Sequence, residues 1–425
     1  MTTQQGLRME DSRSPLAVDG PAEALGVRAL PAPLVGPCAI AIVGMALLGY
    51  TALNTQGLRH GVLLGIGVAL GIALYHARFG FTSAFRRLVA VGNGEALRAH
   101  CLMLAAASIL FAPILAADTG LFGTRPEPSV APIGVGMLFG AFLFGIGMQL
   151  GGACASGTLY TVGSGHTVVI LTLSGFVIGS TLGAWHWAFW AENLALLPPV
   201  SFADSRLGIG GALAVQLTAL ALIAGATIVI GKRKNPPPAE RPPAAAGFAR
   251  VVRGSWPLWV GAIVLALLNA LTLLIKGSPW GITSAFALWG SRLLAGAGID
   301  VASWTYWSGE NAASLKAPLL ADTTTVMNLG IILGALLAAA VGGTFVLHRR
   351  IPLKTALAAL VGGILMGYGA RLAFGCNIGA YFGGIASFSL HGWAWGVMAI
   401  LGTYAGLKAR PVFGLLNPKP TDSVC

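Results

Sequence analysis

Gly145-Ile146-Gly147-Met148-Gln149-Leu150-Gly151-Gly152-Ala153-Cys154-Ala155-Ser156-Gly157 is answered late in the chain by Gly367-Tyr368-Gly369-Ala370-Arg371-Leu372-Ala373-Phe374-Gly375-Cys376-Asn377-Ile378-Gly379. Both stretches follow Gly-x-Gly-x-x-Leu-x-x-x-Cys-x-x-Gly. A second shared element precedes each of them. Phe79-Gly80-Phe81-Thr82-Ser83-Ala84-Phe85 matches Trp280-Gly281-Ile282-Thr283-Ser284-Ala285-Phe286. Paired motifs in the same order mark one unit written twice, and duplicated halves are how many membrane transporters are built.

The surrounding sequence is apolar enough for that reading. Of 425 residues 56% are hydrophobic and 9% charged, and the mean hydropathy is +0.78. A typical soluble domain carries about 25% charged residues. Runs of roughly 18 apolar residues suffice to cross a bilayer core at about 1.5 Å per residue. Ten such runs are expected, at 34–53, 60–77, 99–117, 132–150, 166–188, 207–231, 256–276, 323–347, 355–373 and 391–409. Residues 1–33, with Arg8, Glu10, Asp11, Arg13 and Asp19 and no apolar stretch, read as a disordered cytoplasmic leader and not as a signal peptide.

The net charge of +12 resides in short loops and not in a basic domain able to hold a duplex, which argues against nucleic acid. It serves orientation instead. With the N-terminus inside, nineteen of the 26 Lys and Arg residues fall on the cytoplasmic side and seven outside, so both termini are expected in the cytoplasm. Lys232–Ser255, with Pro236-Pro237-Pro238 and Pro242-Pro243, reads as a basic, extended cytoplasmic linker between the halves. The expected units are therefore a first repeat of five spans over 34–231, the linker 232–255, a second repeat over 256–410 and a cytoplasmic tail 411–425. An odd number of spans inverts the second copy. The fold class is thus an all-α polytopic membrane protein, an inverted 5+5 repeat.

The four motif segments are too short and too rich in Gly, Ser and Thr to span. They are expected to fold back as short re-entrant helices, with Thr82, Ser83, Thr283 and Ser284 at two of them. The N-terminal ends of such helices suit an anion. Cys154 and Cys376 hold equivalent places, framed by Gly152 and Gly157 and by Gly375 and Gly379, where the backbone can approach a small ligand closely. Asn377 offers an amide at the same point. Arg371 stands where the first copy has Gln149, and it reads either as an anion attractor at the outer mouth or as a snorkelling cation. His166 and His391 follow the motif cysteines and read either as tuning groups or as interfacial helix ends. Tyr381, Phe382 and Trp393 read as packing residues. Cys38, Cys101 and Cys425 have no repeat partner and read as inert; a Cys154–Cys376 disulfide stays open. No zinc spacing occurs. Gly225 to Lys232 misses the P-loop spacing, and the Gly-x-Gly segments do not follow a strand, so neither a nucleotide nor any other cofactor is expected.

The segments 77–86, 151–158 and 369–380 together resemble the YeeE/YedE family of bacterial inner-membrane proteins, over about 34–410. That resemblance implies uptake of sulfur compounds, thiosulfate in one branch, with a selenium-related role associated with others. It implies an hourglass of spanning helices around inverted re-entrant loops, with Cys154 and Cys376 near the constriction passing the substrate along, and a TusA-like sulfur-carrier protein as cytoplasmic partner. A third cysteine of the thiosulfate branch, near the first re-entrant segment, has no counterpart here, where Gly80 stands between Phe79 and Phe81. The expected function is a transporter or facilitated channel for a small sulfur-containing anion, and not an enzyme. Two rivals remain: a membrane enzyme using a motif cysteine as nucleophile, and a subunit handing sulfur or selenium to a carrier protein.

Overall fold

The computed structural model describes residues 31–239, 247–347 and 350–422. Most of the expected leader, part of the linker and Cys425 lie outside the described residues. Among those described there is no β-strand, and the chain is a bundle of helices. The long ones are α1 (Val35–Gln56), α2 (Leu58–Ala77), α4 (Glu95–Ala117), α5 (Val135–Gly151), α7 (Val168–Trp185), α8 (Gly208–Lys234), α9 (Leu258–Lys276), α11 (Thr323–Val341), α12 (Leu353–Leu372) and α13 (Leu390–Ala409). Short helices α3 (Phe81–Val91), α6 (Ala155–Gly163) and α10 (Thr283–Gly296) lie between them, and a π-helical segment covers Asn377–Gly383. Nine described helical stretches are long and apolar enough to cross a membrane. The tenth expected span is a helix of 20 residues whose Gly, His, Trp and Tyr content lowers its hydropathy. The protein is an all-α polytopic membrane protein.

Small residues let these helices approach closely, which is how helices associate where lipid removes the hydrophobic drive. A Cβ built on Gly71 of α2 would lie 2.2 Å from the Ile331 carbonyl oxygen of α11, and one on Gly334 would lie 2.1 Å from that of Val68. The crossing of α7 and α12 is built alike: Gly179 faces the Ile364 carbonyl and Gly367 that of Phe176, at 2.1 and 2.2 Å. By contrast α1 and α8 are peripheral, with 11% and 17% of their most apolar windows buried.

One expected boundary moves. The sequence reading counts five spans before the linker, although six of its ten runs end before residue 232, and the structure agrees with the runs: α1, α2, α4, α5, α7 and α8 all precede the linker. The Pro-rich stretch marks a loop and not the point where the pattern restarts. The shared motifs follow α2 and α9, and α5 and α12, which are five long helices apart. Packing has the same period. The pairs α2–α11, α7–α12 and α4–α8 have counterparts five helices on in α9–α4, α13–α5 and α11–α1, and α7–α10 corresponds to α13–α3. The linker is also shorter than expected, because Lys232, Arg233 and Lys234 form the last turn of α8, where cations face the negative end of the helix. Ala249–Arg253 is a helical turn.

Candidate functional site

Each of the four motif segments opens a short helix, of 11, 9, 14 and 7 residues. Cys154 is the N-cap of α6 with φ −86° and ψ −174°, and Cys376 is the N-cap of the π-helical segment with φ −104° and ψ −165°. Matching sequence has produced matching backbone. Both side chains are 1% exposed, both thiols are free, and α6 packs against the 377–383 segment. The cap carbonyls are used in the same way: Thr158 N donates to Cys154 O at 2.7 Å and Ala380 N to Cys376 O at 2.9 Å. The sulfurs differ slightly. Cys376 Sγ accepts from Ile378 N at 3.4 Å, and Cys154 Sγ lies 3.5 Å from Ser156 Oγ. The remaining first-turn N–H groups have no partner within their own helix, which makes each end a place for negative charge.

Glycines decide the space beside the thiols. Gly152, at φ +77°, and Gly379 have nothing within 4 Å of a built Cβ, so the chain is open on one side of each cysteine. Gly375 instead lies against the backbone of Gly379 and Ala380, and its φ of +147° demands glycine. Gly157 packs on Cys154 Sγ. Asn377 is 0% exposed, and neither its Nδ2 nor its Oδ1 has a hydrogen-bond partner. A buried amide left bare costs roughly 1–3 kcal/mol. Among the described motif residues it is the one whose two polar side-chain atoms both lack a partner.

Arg371 is 7% exposed. Its guanidinium donates to Thr283 Oγ1 at 3.0 Å and to Tyr306 Oη, whose ring lies 5.4 Å away, while Nε is unpaired. It therefore neither snorkels nor stands free at a mouth. Its counterpart Gln149 does the equivalent in the first copy, donating to the Thr82 carbonyl at 3.5 Å. Gln149 in turn accepts from Arg86 Nε at 3.0 Å, and its carbonyl accepts from Arg410 at 2.6 Å. Sequence reasoning missed these two cations; an Arg beside Phe85 and one after α13 carry no local signal of convergence. Thr82 is buried with Oγ1 unpaired, Ser83 donates to the Gly80 carbonyl at 3.1 Å, and Ser284 is exposed.

The histidines stay apart from the thiols. His166 is exposed beside Ser164, and His391 lies 2.6 Å from Ser389 Oγ and abuts Gly384. Tyr381 reaches across the copies, its ring 6.2 and 6.1 Å from those of Phe81 and Phe85. That joins the second cysteine segment to the first Thr-Ser-Ala-Phe segment.

A family model described as sulphur transport matches residues 76–405. The chain is 29% identical over 357 residues to a thiosulfate transporter TsuA of Spirochaeta thermophila, covering 80% of this chain and 95% of that one. It is 27% identical over 349 residues to a thiosulfate transporter TsuA of Escherichia coli, with 80% and 91% covered. Over 160 residues it is 31% identical to the probable transporter YedE of Escherichia coli, 37% of this chain and 39% of that one.

Proposed function

The chain belongs to the sulphur transport family, and we propose that it moves a small sulfur-containing anion such as thiosulfate inward across the bacterial inner membrane, as a transporter or facilitated channel. The observation that carries this reading is the pair of buried thiols capping two packed helices, with the bare Asn377 amide beside one of them. A thiol is polarisable and a weak S–H donor, so it can touch an anionic sulfur without repelling it. First-turn N–H groups add partial positive charge. Arg371, five residues before Cys376, holds Thr283, and Gln149, five residues before Cys154, joins Arg86 to Thr82. An ion passing from one thiol to the next meets weak successive sites, which lets it enter without being trapped.

The five-helix period of motif and packing supports an inverted repeat whose units exchange near 189–206. With both termini cytoplasmic, Cys376 then takes the outer position and Cys154 the inner. Relatives named as thiosulfate transporters favour that ion. Uptake of labelled thiosulfate into sealed vesicles holding the purified chain alone is the test. Sulfite, sulfate, tetrathionate and selenium oxyanions serve as competitors. Uptake that requires an added carrier protein, or none at all, rejects the reading.

A further inference from the structure

A cavity of about 780 Å³ opens beside the first Thr-Ser-Ala-Phe segment; among the described residues Arg78, Arg87, Arg98 and Arg250 line it, with one carboxylate, Glu95. Among the described residues none of the four guanidiniums makes an ion pair with a carboxylate. Arg98 reaches only the Thr227 hydroxyl, at 3.4 Å, and Arg250 the Ser255 carbonyl, at 2.8 Å. Three helices begin on the cavity wall: Gly80 caps α3, Glu95 starts α4 and Leu258 starts α9. Their positive ends add to the arginine charge. On the same wall His100 is 1% exposed, wedged against Phe79 and Phe81 at 4.9 and 4.3 Å, with Nδ1 unpartnered. Tyr160, from the helix that Cys154 caps, closes the far side.

Four guanidiniums against one described carboxylate, on a wall where three helices begin, leave the cavity net positive and suit an oxyanion. We infer that this chamber is a second binding site, for a small divalent oxyanion of the sulfate class, separate from the thiols. Its placement on the cytoplasmic side rests on the orientation proposed above. Two sources share that chemistry: the transported ion leaving Cys154, and inorganic oxyanions of the cytosol. Occupation from the cytosol would place a negative charge under the exit and slow further entry.

The test is calorimetric titration of inorganic sulfate onto the purified full chain carrying Cys154→Ala and Cys376→Ala, which separates the chamber from the thiol path. One sulfate per chain is expected, weakened by added salt. The further change Arg87→Gln with Arg98→Gln should weaken it by about tenfold or more, and Arg87→Lys with Arg98→Lys should retain most of it, since charge is kept. Retention in the Lys pair also shows that the loss is not misfolding. No sulfate binding, binding indifferent to the Gln pair, or binding that disappears with the cysteines alone overturns the inference. In vesicles of the unsubstituted chain, sulfate on the chamber side should slow thiosulfate entry. Thiosulfate that also displaces sulfate from the cysteine-free chain identifies the transported ion as a source, and failure to displace it leaves the cytosolic oxyanion as occupant. Sulfate binding without any thiosulfate uptake would reject the transport reading and uphold the chamber.

Discussion

Sulfur is an unusual helix cap. Oxygen from Ser, Thr, Asp or Asn normally takes this place, yet Cys376 Sγ accepts from Ile378 N and Cys154 holds the matching position. If capping were the purpose, serine would do it better. Cys376→Ser and Cys154→Ser should therefore leave thermal unfolding nearly unchanged while thiosulfate uptake falls by about tenfold or more, since polarisability is lost and the donor is kept. Uptake equal to the unsubstituted chain in both serine variants would remove the thiols from the path. Asn377 gives the opposite separation. Because neither polar atom of its buried amide has a hydrogen-bond partner, Asn377→Leu should keep or raise stability, by up to about 1–3 kcal/mol, while uptake drops. A variant that transports normally would make the amide a bystander. The two cysteines and Asn377 were legible because each stands beside a repeated motif. Arg371 was found for the same reason, but its partners were not, since Tyr306 lies in a loop with no repeat counterpart and only folding brings it near. Arg86 and Arg410 were invisible as a pair on Gln149 because nothing local links them.

At the scale of elements, hydropathy located all ten long helices to within a few residues, because burial in lipid requires the whole segment to be apolar. It also flagged the four motif segments as non-spanning, and each opens a short helix. What it did not reveal is which faces meet. That depends on glycines whose partners lie far along the chain. Gly179→Ala should force α7 from α12, where the new methyl would lie 2.1 Å from the Ile364 carbonyl. A loss of roughly 1–3 kcal/mol is expected, typical of overpacking, seen as a lower melting temperature in detergent. Gly65→Ala on the exposed face of α2, with nothing within 4 Å, should instead be neutral or stabilising by up to about 1 kcal/mol through helix propensity. Equal behaviour of the two would show that close backbone approach does not hold this crossing.

For the whole molecule, parity of helix number carries the argument. Six long helices precede the linker and four follow it; in the proposed arrangement, where all ten cross the membrane, even counts put the linker and both termini on one side. Proline alone suggested that the copies divide at the linker. The motif spacing instead favours the proposed division five and five, between α7 and α8, since only an odd unit would invert the second copy. The consequence can be read from outside the cell. In a chain with Cys38→Ala and Cys425→Ala, whose motif cysteines are buried, an impermeant maleimide should label Asp118→Cys and Asp204→Cys in intact cells. Lys232→Cys and Leu416→Cys should react only after permeabilisation. The Asp118–Arg125 ion pair that the first change removes is exposed and worth little to stability, so folding should not confound the result. Asp118 follows the third long helix and Asp204 the fifth, whereas Lys232 closes the sixth. Labelling of Lys232→Cys in intact cells together with protection of Asp204→Cys would mean that α8 runs the other way. The second cysteine segment would then face the same side as the first, and a path running from Cys376 outside to Cys154 inside could not exist.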